Sequence, residues 1–305
     1  MKAIVTGGAG FVGSHIVESL INQGARVLVV DDMSTGQPSN LNGDIDVVNL
    51  GINDAKVAQV FLQFKPDLVS HCAAQASVPF SVKNPIVDSH INILGGLNVF
   101  QSAMKAKCSQ IIYINTGGAL YGNPTYLPCD ENHPISPISP YALSKWTLEQ
   151  YLKLIAPSSL KLQVLRLANV FGPKQNIKGE SGVIGIFAQN MIHMQPIAIF
   201  GDGNQTRDFI YVEDVANAHA LAVDYPGSFT INIGSGNPTS INTIFQIIAE
   251  KINYTEHPIY SDTRAGDVKH IYLDIKKANK ILGWKPQTSL DDGLNQTLKW
   301  FLKQK

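Results

Sequence analysis

The 305 residues are 44% hydrophobic and 16% charged, enough for one large α/β domain with an appendage or for two modest domains. Twenty-four Lys and Arg balance twenty-four Asp and Glu, so the charge gives no reason to expect nucleic acid or an anionic membrane as partner, and an anionic ligand has to be held locally. Cys72, Cys108 and Cys129 stand far apart without a CxxC or His-paired motif; this points away from a disulfide framework and from a metal site, towards reduced thiols.

In chain order the first element is a strand, KAIVTGG, starting at residue 2. It leaves no basic-plus-apolar leader ahead of it, and no run of eighteen apolar residues follows, so a cytoplasmic protein is expected. Short β-branched runs then alternate with helical patterns: a helix near 13–23, RVLVVD, DVVNL, DLVSHCA, a helix near 92–106, QIIYINT, a helix from 140, and LQVLRLANV. That rhythm predicts an α/β fold, a doubly wound parallel sheet with helices on both faces. After Gly172 the elements shorten: PIAIFGDG, RDFIYVEDVANAHALAV, FTINIGSG, a helix near 240–252 and a closing helix near 290–303. This tail reads as a small C-terminal lobe capping the edge of the sheet where ligands bind in such folds. The expected division is 1–173 with 203–236 for the sheet domain, and 174–202 with 237–305 for the lobe.

The stretch TGGAGFVGSH follows the first strand and opens the first helix. It can be read as Gly-x-Gly-x-x-Gly through Gly8, Gly10 and Gly13, or as Gly-x-x-Gly-x-x-Gly through Gly7, Gly10 and Gly13. Either way, absent side chains permit close approach to a pyrophosphate, and the helix N-terminus supplies N–H donors and partial positive charge. The second strand ends in Asp31, eighteen residues beyond Gly13. A carboxylate there accepts from both ribose hydroxyls and repels a 2′-phosphate, which favours NAD over NADP.

PYALSK opens the helix at 140, with Ser139 as N-cap, Pro140 in the first turn and Leu148, Leu152 and Ile155 at helical spacing. Tyr141 and Lys145, four apart, share one face of it. Alone, such a pair is more often a surface contact than an acid/base couple; beside a dinucleotide loop the second reading prevails.

With HCAAQASV, NTGGALYG, NVFGPKQN, GDGNQTRDFIYVEDVA and RAGDV, the whole chain resembles the extended short-chain dehydrogenase/reductase family, and within it the nucleotide-sugar 4-epimerases of the UDP-glucose 4-epimerase type. The resemblance implies a catalytic set of Tyr141, Lys145 and Thr116, the last standing twenty-five positions before the tyrosine. Counting back from Tyr121 would instead select Gly117, which has no hydroxyl. In this set an ammonium and the positive nicotinamide favour the phenolate, whose ordinary pKa is about 10, so Tyr141 can act as base. Thr116 hydrogen-bonds the same sugar oxygen, and Lys145 also holds the nicotinamide ribose.

The resemblance further implies an NAD site of Gly7, Gly10, Phe11, Val12, Gly13, Asp31, Asp32, Ser34, Thr35, Gly36, Ile52, Ala73, Ala74, Gln75 and Asn92, with Tyr141 and Lys145. A UDP-sugar is then expected on Asn169, Arg207, Arg264 and Asp267, with two guanidiniums gripping the diphosphate. Gly51 replaces an aspartate that binds adenine in many relatives, and Ile271 falls where relatives carry a large or a small residue linked to N-acetyl acceptance. A dehydratase would need Asp-Glu after the threonine, where Gly117 and Gly118 stand; a reductase is disfavoured by Asp31, and a non-catalytic NAD-binding relative by the retained Tyr and Lys. The implied activity is 4-epimerisation of a UDP-sugar, UDP-glucose/UDP-galactose or the N-acetylated pair, in a homodimer paired through the helices near 92–106 and 140–155. His71, His90 and His219 lack metal-like spacing and are expected to be structural or solvated.

Overall fold

The computed structural model describes residues 1–175, 182–263 and 268–304. Strands β1 (Lys2–Thr6), β2 (Arg26–Asp31), β3 (Asp46–Asn49), β4 (Leu68–His71), β5 (Gln110–Thr116) and β6 (Lys161–Leu167) lie in one parallel sheet. Strand β7 (Asn169–Phe171), β8 (Ala198–Phe200) and β9 (Thr206–Tyr211) lie outside it, and β10 (Phe229–Ile233) completes it in the order β10-β6-β5-β4-β1-β2-β3. The order reverses between β1 and β4, which opens a crevice at their carboxyl ends. The register brings Thr6 level with both Val30 and His71, so the turns after β1, β2 and β4 meet at that crevice. Residues Ala3–Thr6 and Leu68–His71 are buried without alternation, as strands covered on both faces must be.

One face is covered by α1 (Phe11–Asn22), the other by α2 (Val57–Phe64). Three short pieces follow β4: α3 (Val78–Lys83), α4 (Pro85–Ser89) and a π-helical turn over His90–Gly95, which runs into α5 (Gly96–Lys105). Ser77 caps α3, accepting from the Phe80 N–H at 3.2 Å, and Pro79 and Pro85 each fall within the first two residues of a helix, where a missing N–H costs nothing. The helix expected near 92–106 is therefore the far end of a longer, broken one. At its start Gly96 packs directly against Leu148, leaving no space for a side chain. That leucine belongs to α6 (Pro140–Ile155), capped by Ser139 as its sequence requires, with the Ala142 N–H donating at 3.2 Å.

The lobe comprises α7 (Val183–Ile192), α9 (Ile241–Ile252) and α11 (Leu290–Lys303), while α8 (Val212–Asp224) and α10 (Lys276–Leu282) pack with the main sheet. A three-stranded sheet joins the two parts, with β9 between β7 and β11 (Pro238–Ser240); β8 pairs with β12 (Ile259–Ser261). The lobe core holds Phe187, Ile244, Ile248 and Leu294, and also Phe171, Phe209 and Tyr211 from the stretches expected in the sheet domain. Conversely, Leu273, Ala278 and Trp284, expected in the lobe, complete the main core. The division is interleaved because β9 serves both cores. Among the described residues no helix is long and apolar enough to cross a membrane.

Candidate active site

Gly7 turns the chain after β1 with φ +69°, and a Cβ there would stand 2.6 Å from the Ala73 nitrogen. A side chain at Gly13 would meet the Gly7 carbonyl, to which the Gly10 N–H also donates at 3.1 Å. Gly8 instead faces Val29 and Val17 of the core. Gly7, Gly10 and Gly13 therefore pack about the Gly7 carbonyl at the turn itself, and Phe11 and Val12 open α1, where first-turn N–H groups lack intrahelical acceptors.

Asp31 is buried at the end of β2, and its two oxygens accept from the Ala9 and Met33 N–H groups, each at 2.9 Å. Burial pushes its carboxyl above the ordinary value despite those bonds. Gly36 lets the following turn pass over it, since a Cβ would lie 2.8 Å from the carboxylate. Asp32 is exposed and accepts from both the N–H and hydroxyl of Ser34; Thr35 is exposed beside it. The open space of Gly51 borders Asp32, 3.8 Å from where a Cβ would be, so Asp32 is the carboxylate at this edge. Ile52 is buried against Gly95. A backbone-lined turn at a helix N-terminus, with a carboxylate at the next strand end, fits a dinucleotide with unmodified ribose.

Ala73, Ala74 and Gln75 continue from β4 past Gly7. Asn92 is buried in the π-helical turn and clamps this segment: its Oδ1 accepts from the Gln75 N–H at 2.8 Å and its Nδ2 donates to the Gln75 carbonyl at 2.7 Å. Its amide shapes the crevice wall through the Gln75 backbone.

Lys145 is 3% exposed. Its ammonium donates to the Ile114 carbonyl at 2.8 Å and lies 4.4 Å from the Tyr113 ring centroid. The Tyr113 hydroxyl donates back to the Lys145 carbonyl at 3.3 Å, and burial holds that phenol far above its usual range, so it stays neutral. His71 stacks on Tyr113 with ring centroids 5.6 Å apart; burial, then Lys145, lowers it to about 3. A cation in that position excludes a solvated surface pair, and Tyr141 one turn earlier is half-buried on the same helix. Burial alone lowers His219 to about 3, whereas His90 is exposed.

Thr116 ends β5 half-buried, its N–H held by Asn115 Oδ1 at 2.8 Å. A Cβ on Gly117 would point at Leu273, 2.7 Å away, and at the Arg166 carbonyl, so a side chain there would enter the core. Any hydroxyl at this strand end has to come from Thr116. Beneath it Arg166 grips Glu149 through two bonds of 2.7 and 3.1 Å, and Asn115 and Lys153 each donate to the same carboxylate at 2.6 Å. Burial opposes the charge, but Arg166 and Lys153 outweigh it and hold Glu149 below the usual carboxylate range. Arg166 also donates to Tyr121, whose hydroxyl donates to Asn232 at 2.7 Å.

On the lobe side, the Asn169 amide oxygen lies 2.9 Å from where a Cβ of Gly118 would stand, directly after Thr116 and Gly117. Arg207, on β9, donates to the Thr206 carbonyl at 2.9 Å. Its neighbour Asp208 is buried and accepts from Ser235, Gly236 and Leu273, pinning the strand that carries the arginine. Arg264 and Asp267 lie outside the described residues. Ile271 is 1% exposed and part of the main core. Tyr113, Asp208 and the Glu149–Arg166 pair escaped the sequence reading, because an isolated polar residue in an apolar run does not name its partner.

Across all of its length the chain is similar to the UDP-glucose 4-epimerase of Thermotoga maritima solved with UDP-glucose: 41% identity, TM-score 0.97, covering 99% of that protein. The UDP-glucose 4-epimerase of Thermus thermophilus in complex with NAD is 36% identical, with TM-score 0.93 and 99% of each chain covered. The UDP-N-acetylglucosamine 4-epimerase of Methanobrevibacter ruminantium, in complex with UDP-N-acetylmuramic acid, is 34% identical, with TM-score 0.93 over 100% of this chain and 99% of the other. Residues 3–234 match the pattern of the NAD dependent epimerase/dehydratase family, and the chain belongs to that family.

Proposed function

We propose that the protein interconverts UDP-glucose and UDP-galactose by NAD-dependent epimerisation at C4, through a 4-keto sugar. The observation that carries this reading is the buried ammonium of Lys145, one helical turn from Tyr141 at the end of β5. NAD, when bound, supplies a reversible hydride acceptor, so none is consumed. Tyr141 takes the proton of the C4 hydroxyl as that carbon is oxidised, and returns it when the carbonyl is reduced on its other face. Lys145 stabilises the phenolate and reaches the nicotinamide ribose, while Thr116 donates to the oxygen that alternates between hydroxyl and carbonyl. Gly7, Gly10, Phe11, Val12 and Gly13 cradle the pyrophosphate, Asp31 takes the adenosine ribose, and Asp32, Ser34, Thr35, Gly36 and Ile52 frame that end. Asn169 and Arg207 take the nucleotide sugar, a role the resemblance extends to Arg264 and Asp267. Elimination of water is disfavoured, since Gly117 and Gly118 offer no acid or base after Thr116.

The test is incubation of the purified protein with UDP-glucose and no added NAD. UDP-galactose is expected to form; absence of product, or a requirement for stoichiometric NAD, would overturn the reading. The N-acetylated pair belongs in the same assay, given the likeness to a UDP-N-acetylglucosamine 4-epimerase.

A homodimer is part of this proposal. Val82, Ile86, Leu94, Leu143 and Leu154 are exposed apolar residues on α3, α4, the π-helical turn and α6, with Ile86 at 81% and Leu154 at 83%. Such a concentration of apolar surface is characteristic of an interface. It draws little on α5, which is packed between α2 and α6. Light scattering should give twice the chain mass, and a double Ile86→Glu, Leu154→Glu variant should give one. Three free thiols, two of them buried, suit a reducing cytoplasm.

A further inference from the structure

Asp88 has no part in the reaction scheme above, yet its side chain is fully buried where three walls of the crevice meet. Its Oδ1 accepts from Gln75 Nε2 at 2.6 Å and from Asn92 Nδ2 at 3.0 Å, and its Oδ2 accepts from the Ser144 hydroxyl at 2.7 Å. Those donors come from the segment after β4, from the π-helical turn, and from α6 at the position between Tyr141 and Lys145. A local widening of a helix into a π turn is a frequent mark of a functional site.

The orientation of both amides is fixed by backbone groups that have only one role. The Ser77 N–H donates to Gln75 Oε1 at 2.6 Å, and the Gln75 N–H donates to Asn92 Oδ1 at 2.8 Å. Each amide oxygen is thereby held by a backbone donor, and both NH₂ groups face residue 88. Position 88 has to present an oxygen that accepts from both. The second arm is less demanding: the Ser144 hydroxyl has an alternative acceptor, the Tyr141 carbonyl at 3.0 Å, so it can turn and receive a hydrogen bond instead. An asparagine therefore fits where an alanine does not.

We propose that Asp88 is a positioning residue that sets the spacing between the Gln75 wall of the cofactor crevice and the turn of α6 carrying Tyr141 and Lys145. Its catalytic consequence rests on the epimerase reading, whereas its hold on the Gln75 wall rests on the dinucleotide crevice alone. Loss of the acceptor removes the one oxygen shared by Gln75 and Asn92 and the partner of Ser144 at 2.7 Å, leaving the two banks joined through the longer Asn92 Nδ2 to Ser144 Oγ bond of 3.2 Å, and a shift of about 1 Å in a reacting group costs on the order of a hundredfold in rate. The sugar-nucleotide grip, on Asn169 and Arg207, lies elsewhere.

The test compares Asp88→Ala with Asp88→Asn in the full-length protein, well below the denaturation midpoint of each. Two quantities are read: kcat and KM for UDP-galactose, and the rate at which bound cofactor exchanges with added NADH, followed by fluorescence. Asp88→Ala is expected to lower kcat by about 10- to 100-fold with KM within about threefold, and to speed exchange about tenfold. Asp88→Asn should recover most of both. A folded Asp88→Ala protein with unchanged kcat and exchange would overturn the proposal, as would an Asp88→Asn protein no better than Asp88→Ala. Should Asp88→Ala not fold, Ser144→Ala cuts the α6 arm, with the bond its hydroxyl accepts from Asn92 Nδ2 at 3.2 Å, and leaves Asp88 on Gln75 and Asn92; it should lower kcat about tenfold without altering exchange, and an unchanged kcat would overturn the proposal. If the unaltered protein converts no UDP-sugar, the epimerase reading falls, and the NADH exchange rates still decide for or against Asp88.

Discussion

The two banks of the crevice are built by different means. On the β1–β2 side the groups proposed to recognise the cofactor are mostly backbone: Gly7, Gly10 and Gly13 leave space beside the first turn of α1, and Asp31 adds one carboxylate. On the β5–β6 side the groups proposed to act are side chains, Tyr141, Lys145 and Thr116, beside a layer of buried polar pairs. A backbone bank needs nothing behind it except the absence of Cβ atoms. A side-chain bank needs support, because a long polar group buried without partners either turns away or changes its charge state. Tyr113 and the Ile114 carbonyl hold Lys145, and Arg166 and Glu149 fasten β6 to α6 below it.

The sharpest break between the banks is Tyr141→Phe. It should cut kcat by about 10³- to 10⁴-fold while most of the NAD, read by absorbance of the denatured protein, stays bound through the remaining contacts. Arg166→Met attacks the support rather than the chemistry: Glu149 keeps Lys153 and Asn115 but loses its two-bond partner, which should cost about 2–3 kcal/mol in chemical denaturation. The same pair has a pH signature. Because Glu149 is held below its unfolded value, its contribution is complete above about pH 4.3 and is lost as pH falls through the lower folded value. Glu149→Gln should therefore flatten the acid limb of the denaturation midpoint.

Gly7→Ala tests the other bank. A left-handed φ and an Ala73 nitrogen 2.6 Å from the new methyl should cost about 1–3 kcal/mol of stability and strip NAD from the purified protein. The smallest effect expected is at Asp31: Asp31→Asn should narrow the preference for NAD over NADP by about tenfold, measured by competition for the site.

The backbone bank was legible in the amino acids, since glycine spacing after a β-branched run is itself the requirement. Between two registers of that motif the choice needed coordinates, because only packing shows Gly8 facing Val29 while Gly7 carries the positive φ. The helix of Tyr141 and Lys145 was equally legible through Ser139 and Pro140. Its neighbour differs in extent from the expectation: the helix near 92–106 begins as a π turn of six residues continuous with α4, for which apolar periodicity has no signature. Asp88 left a faint trace, an acidic residue four before Asn92 in an apolar stretch, but nothing local tells a buried acceptor from a solvated one.

By itself the order of residues determined the alternating α/β architecture, the phosphate turn, the carboxylate eighteen residues beyond it and the helical face shared by Tyr141 and Lys145. Those are short-range properties, set by periodicity, capping and the steric demands of single residues. Tertiary structure alone decided which polar groups are buried and by whom they are satisfied: Lys145 on Ile114, Arg166 on Glu149, Asp88 on Gln75, Asn92 and Ser144. Such pairings join segments up to several dozen residues apart, and their energies exist only once water has been removed from both partners.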